Sequence, residues 1–227
     1  MADTDFPTEK FSHPDITAKG EARASVAWTG LKTLWFNTGT LCNIECRNCY
    51  ILSSPKNDRL VYLSLADVMP YLDEIERLSA NEVEIGITGG EPFMCPDILP
   101  IMEAILFRGH SLLLLTNAMR PMMRPRLQEG LLRLRRNGLA EKLILRVSLD
   151  SHDQALHDAE RGAGAFEEAC KGLRWLAEEG FPLAIAGRQS LHEDEAAARA
   201  AYGALARSLG LKLDPADPKQ LVLFPEM

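Results

Sequence analysis

Three cysteines lie within eight positions of the chain, at Cys42, Cys46 and Cys49. This C-x3-C-x2-C spacing is denser than packing requires, and three thiolates on one short loop can bind three irons of an iron–sulfur cubane. A cubane has four irons, so the remaining iron would lack a protein ligand and could bind a small molecule. The spacing therefore predicts one [4Fe–4S] cluster with an open coordination site.

A structural zinc site is the alternative interpretation of these cysteines. Such sites normally use four ligands, often in paired cysteine and histidine motifs. The sequence has no second C-x2-C motif and no histidine near the three cysteines. Of the other two cysteines, Cys170 lies on an apolar helical stripe and Cys95 has no companion. An odd number of cysteines with three close together favours a metal site in a reducing compartment over a disulfide framework.

Glycine and polar residues follow several apolar runs, where strands are expected to end. The segment Gly89-Gly90-Glu91-Pro92 follows one run, Asn117 another, and Ser148-Leu149-Asp150 closes a third. Paired glycines allow a tight turn, and a backbone without Cβ atoms beside a carboxylate also suits an ammonium group. For Asp150 a helix N-cap is the structural alternative, and for Arg161 a solvated side chain.

The elements between these residues alternate in type. Strand-length apolar runs span 31–37, 83–88, 112–115, 143–150, 182–188 and 220–224, and helical spacing separates each run from the next. Six strands alternating with five helices predict a parallel α/β fold. The pattern alone does not choose between an open doubly wound sheet and a barrel, but polar groups at carboxyl strand ends favour a barrel.

Length and charge limit the possible functions. The chain has 227 residues and a net charge of −7, which suits one globular domain and argues against a general nucleic-acid partner. It contains no apolar run approaching the ~20 residues that span a bilayer, so we expect no membrane association and a cytoplasmic location. Residues 1–26 are predicted to be a polar lead-in, and residues 27–227 one domain.

The cysteine loop after a first strand, the Gly89–Pro92 segment about forty residues later and the Ser148–Asp150 segment together resemble the radical S-adenosylmethionine (SAM) enzymes. The resemblance extends from Leu31 to roughly Arg188. It implies a partial (β/α)6 barrel of TIM type, which here ends after strand six without a sixth helix. At one position the chain departs from the family, because Asn48 replaces the aromatic residue that often precedes the third cysteine.

The resemblance also implies cofactors and an activity. The cofactors are one [4Fe–4S] cluster on the three cysteines and SAM chelated to the open iron. One electron cleaves SAM to methionine and a 5′-deoxyadenosyl radical, which abstracts hydrogen from a substrate that the sequence does not identify. A flavodoxin- or ferredoxin-type protein is the expected electron donor. The alternatives are a non-catalytic iron–sulfur or SAM-binding module, or a truncated family member.

The same resemblance implies roles for specific residues. The Gly89–Pro92 segment is expected to hold the SAM amino group, and polar residues at later strand ends are expected to bind its ribose and carboxylate. The SAM-binding residues implied in this way are Gly89, Gly90, Glu91, Pro92, Asn117, Ser148, Asp150, Arg161 and Arg188. For Arg188 a substrate contact is the alternative role.

Two charge patterns lead to further hypotheses. Glu84 and Arg146 lie on predicted strands two and four with matching parity, so we hypothesise a buried ion pair below the cofactor. Arginines interleaved with leucines in residues 120–136 are typical of a solvated amphipathic helix. Their alternative function is to dock an acidic electron donor.

Overall fold

The computed structural model describes residues 9–78, 82–189 and 193–225. The chain divides into two compact units, one ending at Gly30 and the other beginning at Leu31. In the first unit, residues 9–30 form turns and bends with a single antiparallel bridge between Ile16 and Ala22. The first eight residues of the expected lead-in lie outside the described part, and its boundary at residue 26 stays a prediction.

The second unit is built on one sheet of six parallel strands in sequence order. The strands are β1 (Thr33–Asn37), β2 (Glu84–Thr88), β3 (Ser111–Thr116), β4 (Leu143–Ser148), β5 (Leu183–Gln189) and β6 (Leu221–Pro225). Within the described residues β1 and β6 do not pair with each other, so the sheet is open. The expected parallel α/β fold is confirmed, in the form of a barrel that does not close.

Six helices connect or follow these strands. They are α1 (Leu65–Arg77), α2 (Ile98–Phe107), α3 (Pro125–Arg136), α4 (Gln154–Arg161), α5 (Ala165–Glu178) and α6 (Glu195–Ser208). Helix α1 begins with a capping box in which Ser64 and Asp67 each accept from the other's backbone N–H. None of the helices among the described residues is long and apolar enough to cross a membrane.

Helix α4 is absent from the sequence prediction, which placed a single helix between β4 and β5. Its N-cap is Asp153, whose carboxylate accepts from the Leu156 N–H at 3.0 Å, so Asp150 does not serve as the cap. The helix is only eight residues long and has one buried side chain, His157. Such a short charged segment carries too few apolar positions to show a helical stripe.

The two faces of the sheet differ in their surroundings. Side chains such as Ile85, Leu114 and Leu145 are fully buried against the helices, as expected for parallel strands. On the opposite face, Trp35 is 47% exposed and Ile144 is 42% exposed. We call this second face the cavity face, because its polar residues lead to the cavity described next.

Candidate functional site

A cavity of about 610 Å³ lies at the carboxyl ends of the strands, between the cysteine loop and the cavity face. Parallel α/β folds place ligand sites at this end of the sheet. The lining includes every residue with an expected cofactor role except Glu91 and Pro92. Those lining residues are Cys42, Cys46, Cys49, Gly89, Gly90, Asn117, Ser148, Asp150, Arg161 and Arg188.

The glycine pair brings the cysteine loop against the end of β2. The Gly90 N–H donates to the Gly39 carbonyl at 2.8 Å, and the Glu91 N–H donates to the Leu41 carbonyl at 3.1 Å. A Cβ atom on Gly90 would overlap the Leu41 carbonyl oxygen, and one on Gly89 would overlap the Thr38 hydroxyl. The pair is therefore required for the close approach of two backbones, immediately before Cys42.

Asn117, which directly follows β3, contacts the same loop through its side chain. Its amide nitrogen donates to the Asn43 side-chain oxygen at 2.9 Å, and its own oxygen accepts from the Met119 N–H at 3.0 Å. The residue is 5% exposed. Asn117 thus lines the cavity while its side chain positions the residue next to Cys42.

Glu91 is buried behind the cavity and links the ends of β2 and β3. Its carboxylate accepts three hydrogen bonds, from the Phe93 N–H at 3.0 Å, the Thr116 hydroxyl at 2.8 Å and the Asn117 N–H at 2.8 Å. Burial raises the pKa of the Glu91 carboxyl, and these hydrogen bonds oppose that rise. The position of Glu91 makes it a support for the strand ends, with Pro92 starting a short 3₁₀ turn over Pro92–Met94.

Helix α4 holds the other end of the cysteine loop. The Arg47 N–H donates to the Glu160 carbonyl at 2.8 Å, and the Asn48 amide donates to the Glu160 carboxylate at 2.7 Å. The chain therefore uses Asn48 to connect the loop to α4. Sequence reasoning missed this contact because α4 itself was not predicted.

The three cysteines are free thiols, with Cys42 buried and Cys46 and Cys49 partly buried. Burial raises the pKa of Cys42 to about 12, and burial also raises the pKa of Cys46, although the charge of Arg161 opposes it. Metal binding therefore has to release protons from these thiols. The Ser53 N–H donates to the Cys49 sulfur at 3.2 Å, the type of contact that tunes iron–sulfur clusters.

The arrangement of the thiols fits a cluster better than a single ion. No group of three histidine, cysteine or acidic side chains in the described chain is placed to hold one metal ion. A zinc ion needs all its ligands on one atom, whereas a cubane takes each thiolate on a different iron. The described residues thus give no support to the zinc alternative, and three cysteines around one cavity match a cluster.

Asp150, Arg161 and Arg188 form a charged group beside Cys46. Arg161 makes two hydrogen bonds to Asp150, at 2.7 and 3.0 Å, and the Arg188 Nε lies 3.4 Å from the same carboxylate. Burial alone would raise the pKa of Asp150, but the two arginines outweigh it and hold the pKa below its usual range. Two guanidinium groups share one carboxylate, so the group carries an excess positive charge that suits an anionic ligand.

Tyr202 of α6 supports this group and was not singled out from the sequence. Its hydroxyl donates to the Leu149 carbonyl at 2.9 Å and accepts from the Arg188 N–H at 3.3 Å. The side chain is fully buried beneath Gly187. An alanine-rich helix gives no signal that one tyrosine joins the ends of β4 and β5.

The hypothesis of a buried pair between Glu84 and Arg146 is wrong. Glu84 is exposed, and no ion pair joins it to Arg146 among the described residues. Arg146 instead lines the cavity, and its Nε is buried without a hydrogen-bond partner. The parity of the two residues was predicted correctly, but Glu84 begins β2 at the far end of the sheet, where solvent reaches its carboxylate.

The arginines of residues 120–136 face local partners. Four of them form ion pairs, Arg120 with Glu168, Arg133 with Glu103, Arg135 with Glu179 and Arg136 with Glu129. Arg124 and Arg126 donate to the backbone carbonyls of Phe93 and Pro96. Neighbouring groups thus offset most of the positive charge, as expected for a solvated amphipathic helix, and the docking of an acidic electron donor stays a prediction.

Comparison with known proteins agrees with this site. The model of the radical SAM superfamily matches residues 36–195. AlbA, a Bacillus subtilis protein of subtilosin (antilisterial bacteriocin) biosynthesis, is 31% identical over 64% of this chain and 30% of its own length. The mycofactocin maturase MftC of Mycolicibacterium smegmatis is 30% identical over 75% of this chain and 42% of its own length. The chain thus spans less than half the length of these curated relatives.

Solved structures show the same fold. Streptococcus suis SuiB bound to SAM superposes with a TM-score of 0.65 at 15% identity, covering 87% of this chain and 41% of SuiB. The cofactors of the matching family are a [4Fe–4S] cluster and SAM, and the three-cysteine cavity is compatible with both. Because the family model covers most of the chain, including all three cysteines, the chain belongs to the radical SAM superfamily and uses these two cofactors.

Proposed function

We propose that this protein is a radical SAM enzyme that abstracts hydrogen from its substrate. One observation carries the proposal: three cysteines and the polar ends of four strands surround a single cavity. When bound, the cluster and SAM supply one electron and a 5′-deoxyadenosyl radical from SAM. The protein then has to bind and orient SAM and the substrate, and to exclude water from the cavity.

The residues divide this task between them. Cys42, Cys46 and Cys49 would hold the cluster, and the Gly89–Gly90 backbone would receive the SAM amino group. A SAM carboxylate would be attracted by the excess positive charge of Arg161 and Arg188, which Asp150 keeps oriented. Ser148 offers a hydroxyl to the ribose from the last position of β4.

The substrate and partners extend the proposal. AlbA is a bacteriocin biosynthesis protein and MftC a maturase, so we propose a peptide substrate for this chain. A flavodoxin- or ferredoxin-type protein would supply the electron. We propose a cytoplasmic location, because free thiols and an iron–sulfur cluster require a reducing compartment.

The test is production of 5′-deoxyadenosine by the protein reconstituted with iron and sulfide without oxygen. We expect product after reduction and addition of SAM, measured by chromatography. The Cys46→Ala variant should lose both product and iron. The matched control is Cys170→Ala, which removes a buried thiol outside the cavity and should retain both.

Two outcomes would contradict the proposal in different ways. A loaded cluster that binds SAM but forms no 5′-deoxyadenosine with several reductants would favour the binding-module alternative. Failure of the wild-type chain to retain iron would contradict the assignment of the three cysteines as cluster ligands.

A further inference from the structure

The cavity contains one arginine that faces no carboxylate of the described chain. Its lining includes three arginines, Arg146, Arg161 and Arg188, but a single carboxylate, that of Asp150. Arg161 and Arg188 both face that carboxylate. The Arg146 side chain makes no ion pair or hydrogen bond with any described residue, and its Nε is buried.

The strand register locates Arg146 deeper than the expected SAM-binding residues. Arg146 lies two residues before Ser148 on β4, so both point to the cavity face. This spacing moves Arg146 about 7 Å away from the carboxyl end of the strand, at ~3.3 Å per residue. Its partners in register on β3 and β5 are Leu115 and Ala184, neither of which can accept a hydrogen bond from its side chain.

A structural role does not explain this arginine. Burial lowers the pKa of Arg146, and exposed Glu84 compensates only in part and from beyond ion-pair distance. A partly buried guanidinium without a partner costs free energy, and an apolar side chain of similar length would fill the position without that cost. The position therefore has a charge that none of the described residues uses.

The surroundings of Arg146 are apolar and accessible from the cavity. Leu115, the partner of Arg146 in register, lines the same cavity, and Ile144, two residues earlier on the same face of β4, is 42% exposed. One guanidinium among apolar neighbours matches a singly charged carboxylate, with two parallel hydrogen bonds, better than a doubly charged phosphate.

We propose that Arg146 binds a carboxylate of the substrate, so that the substrate is a peptide with an acidic group next to an apolar one. This inference rests on the proposed function, since it assigns a substrate to the same cavity. The carboxylate belongs either to an acidic side chain or to a chain terminus, and these two sources share the same contact with Arg146.

Binding of three synthetic peptides to the reconstituted, SAM-loaded protein tests the inference. The peptides are acetyl-Leu-Glu-Leu-amide, acetyl-Leu-Gln-Leu-amide and acetyl-Leu-Gln-Leu with a free carboxyl terminus, measured by calorimetry. We expect one of the carboxylate peptides to bind at least about tenfold more tightly than the neutral peptide. Which one does so identifies the source of the carboxylate.

Variants of Arg146 assign the preference to this residue. Arg146→Gln should abolish the difference between carboxylate and neutral peptides, whereas Arg146→Lys should retain part of it. The matched control is Arg120→Gln, which removes an exposed arginine outside this cavity and should leave the preference intact. Iron content per chain, measured for every variant, excludes loss of the fold as the cause.

Several results would overturn the inference. They are equal binding of the three peptides by the wild-type protein, no detectable binding of any of them, or a carboxylate preference that persists in Arg146→Gln. Production of 5′-deoxyadenosine by the wild-type protein, measured separately, tells whether the proposed function stands when the assignment of Arg146 fails.

Discussion

The side-chain amide of Asn48 donates to the Glu160 carboxylate at 2.7 Å and joins the cysteine loop to helix α4. The next residue along α4, Arg161, pairs with Asp150 at the end of β4. The loop that contains the three cysteines and the polar end of the fourth strand are thus connected through two consecutive residues of one short helix. This connection explains how a long excursion between β1 and α1 can keep a defined position.

The first prediction concerns this contact. Glu160→Ala removes the acceptor of the Asn48 amide but keeps the backbone bond from Arg47, so the fold should persist while the loop loosens. We expect the cluster to be lost to a chelator about tenfold faster, since a hydrogen bond to a charged group contributes roughly 1.5 kcal/mol. The decay of the cluster absorbance measures this rate.

Glu160→Gln is the matched control, because its side-chain oxygen can still accept from Asn48. Its cluster should decay at nearly the wild-type rate. If the cluster of Glu160→Ala decayed at the wild-type rate, the Asn48 contact would not be what holds the loop.

The second prediction concerns Gly90. Alanine at this position would place a Cβ atom against the Leu41 carbonyl oxygen, which is backbone and has to move together with the cysteine loop. We expect Gly90→Ala to fold but to retain less than about half of the wild-type iron after reconstitution, given the ~1–3 kcal/mol cost of overpacking. Iron and sulfide assays measure the loss.

The control for Gly90 is Gly109→Ala. Gly109 has a φ of +82° but no atom within 4 Å of an added Cβ, so it tests backbone strain without a clash. This variant should lose about 1 kcal/mol of stability and retain its iron. Full iron content in Gly90→Ala would contradict the close-approach explanation of the glycine pair.

The strands and the cavity lining were predictable for a physical reason. Buried parallel strands are short continuous apolar runs, and polar residues directly after them gather at one edge of the sheet. Cys42, Gly90 and Ser148 meet at the cavity on this basis. The burial of Glu91 as a support for the strand ends could not be predicted from the sequence. The three donors that surround its carboxylate come from a tight turn and from the end of a different strand.

Contacts between elements that are distant in the chain could not be predicted from the sequence. The link from Asn48 to Glu160 needs a helix that has too few apolar residues to show a period, and Tyr202 of α6 reaches the Leu149 carbonyl, which is 53 residues away in the chain. The expected ion pair between Arg146 and Glu84 was wrong for a related reason. Parity predicts the face of a strand, but whether two charges meet depends on their depth and on solvent access.

The third prediction concerns Asp150. The Asp150→Asn change keeps the shape of the side chain but leaves Arg161 and Arg188 without their carboxylate. Removing one partner of a mostly buried ion pair should lower the free energy of unfolding by roughly 3 kcal/mol. Urea unfolding at neutral pH measures the change.

A surface pair provides the comparison for Asp150. Arg120→Gln removes an arginine that is 84% exposed from its pair with Glu168, and should cost less than about 1 kcal/mol because water screens the pair. The pKa of folded Asp150 lies below its unfolded value, so its contribution is present above about pH 4 and is lost as the pH falls further. Equal costs for the two variants would contradict a structural role for the Asp150 group.

The fourth prediction concerns His157, which is fully buried on α4 and whose ring nitrogens have no hydrogen-bond partner among the described residues. Burial first, and the charge of Arg161 second, lower the pKa of His157 to about 4. Between pH 6.5 and about 4 the unfolded chain takes up a proton here that the folded chain does not. The contribution of His157 to stability is therefore complete above pH 6.5, and about 3 kcal/mol is lost by pH 4.

Urea unfolding of the metal-free chain at pH 7, 6 and 5 tests this dependence. His157→Leu cannot take up the proton, so its stability should fall less steeply with acid than that of the wild type. Leu156→Ala, which changes an exposed residue of the same helix and removes no titrating group, should keep the wild-type slope. The interpretation fails if His157→Leu and the wild type lose stability in parallel, since the buried ring would then not be the group that titrates.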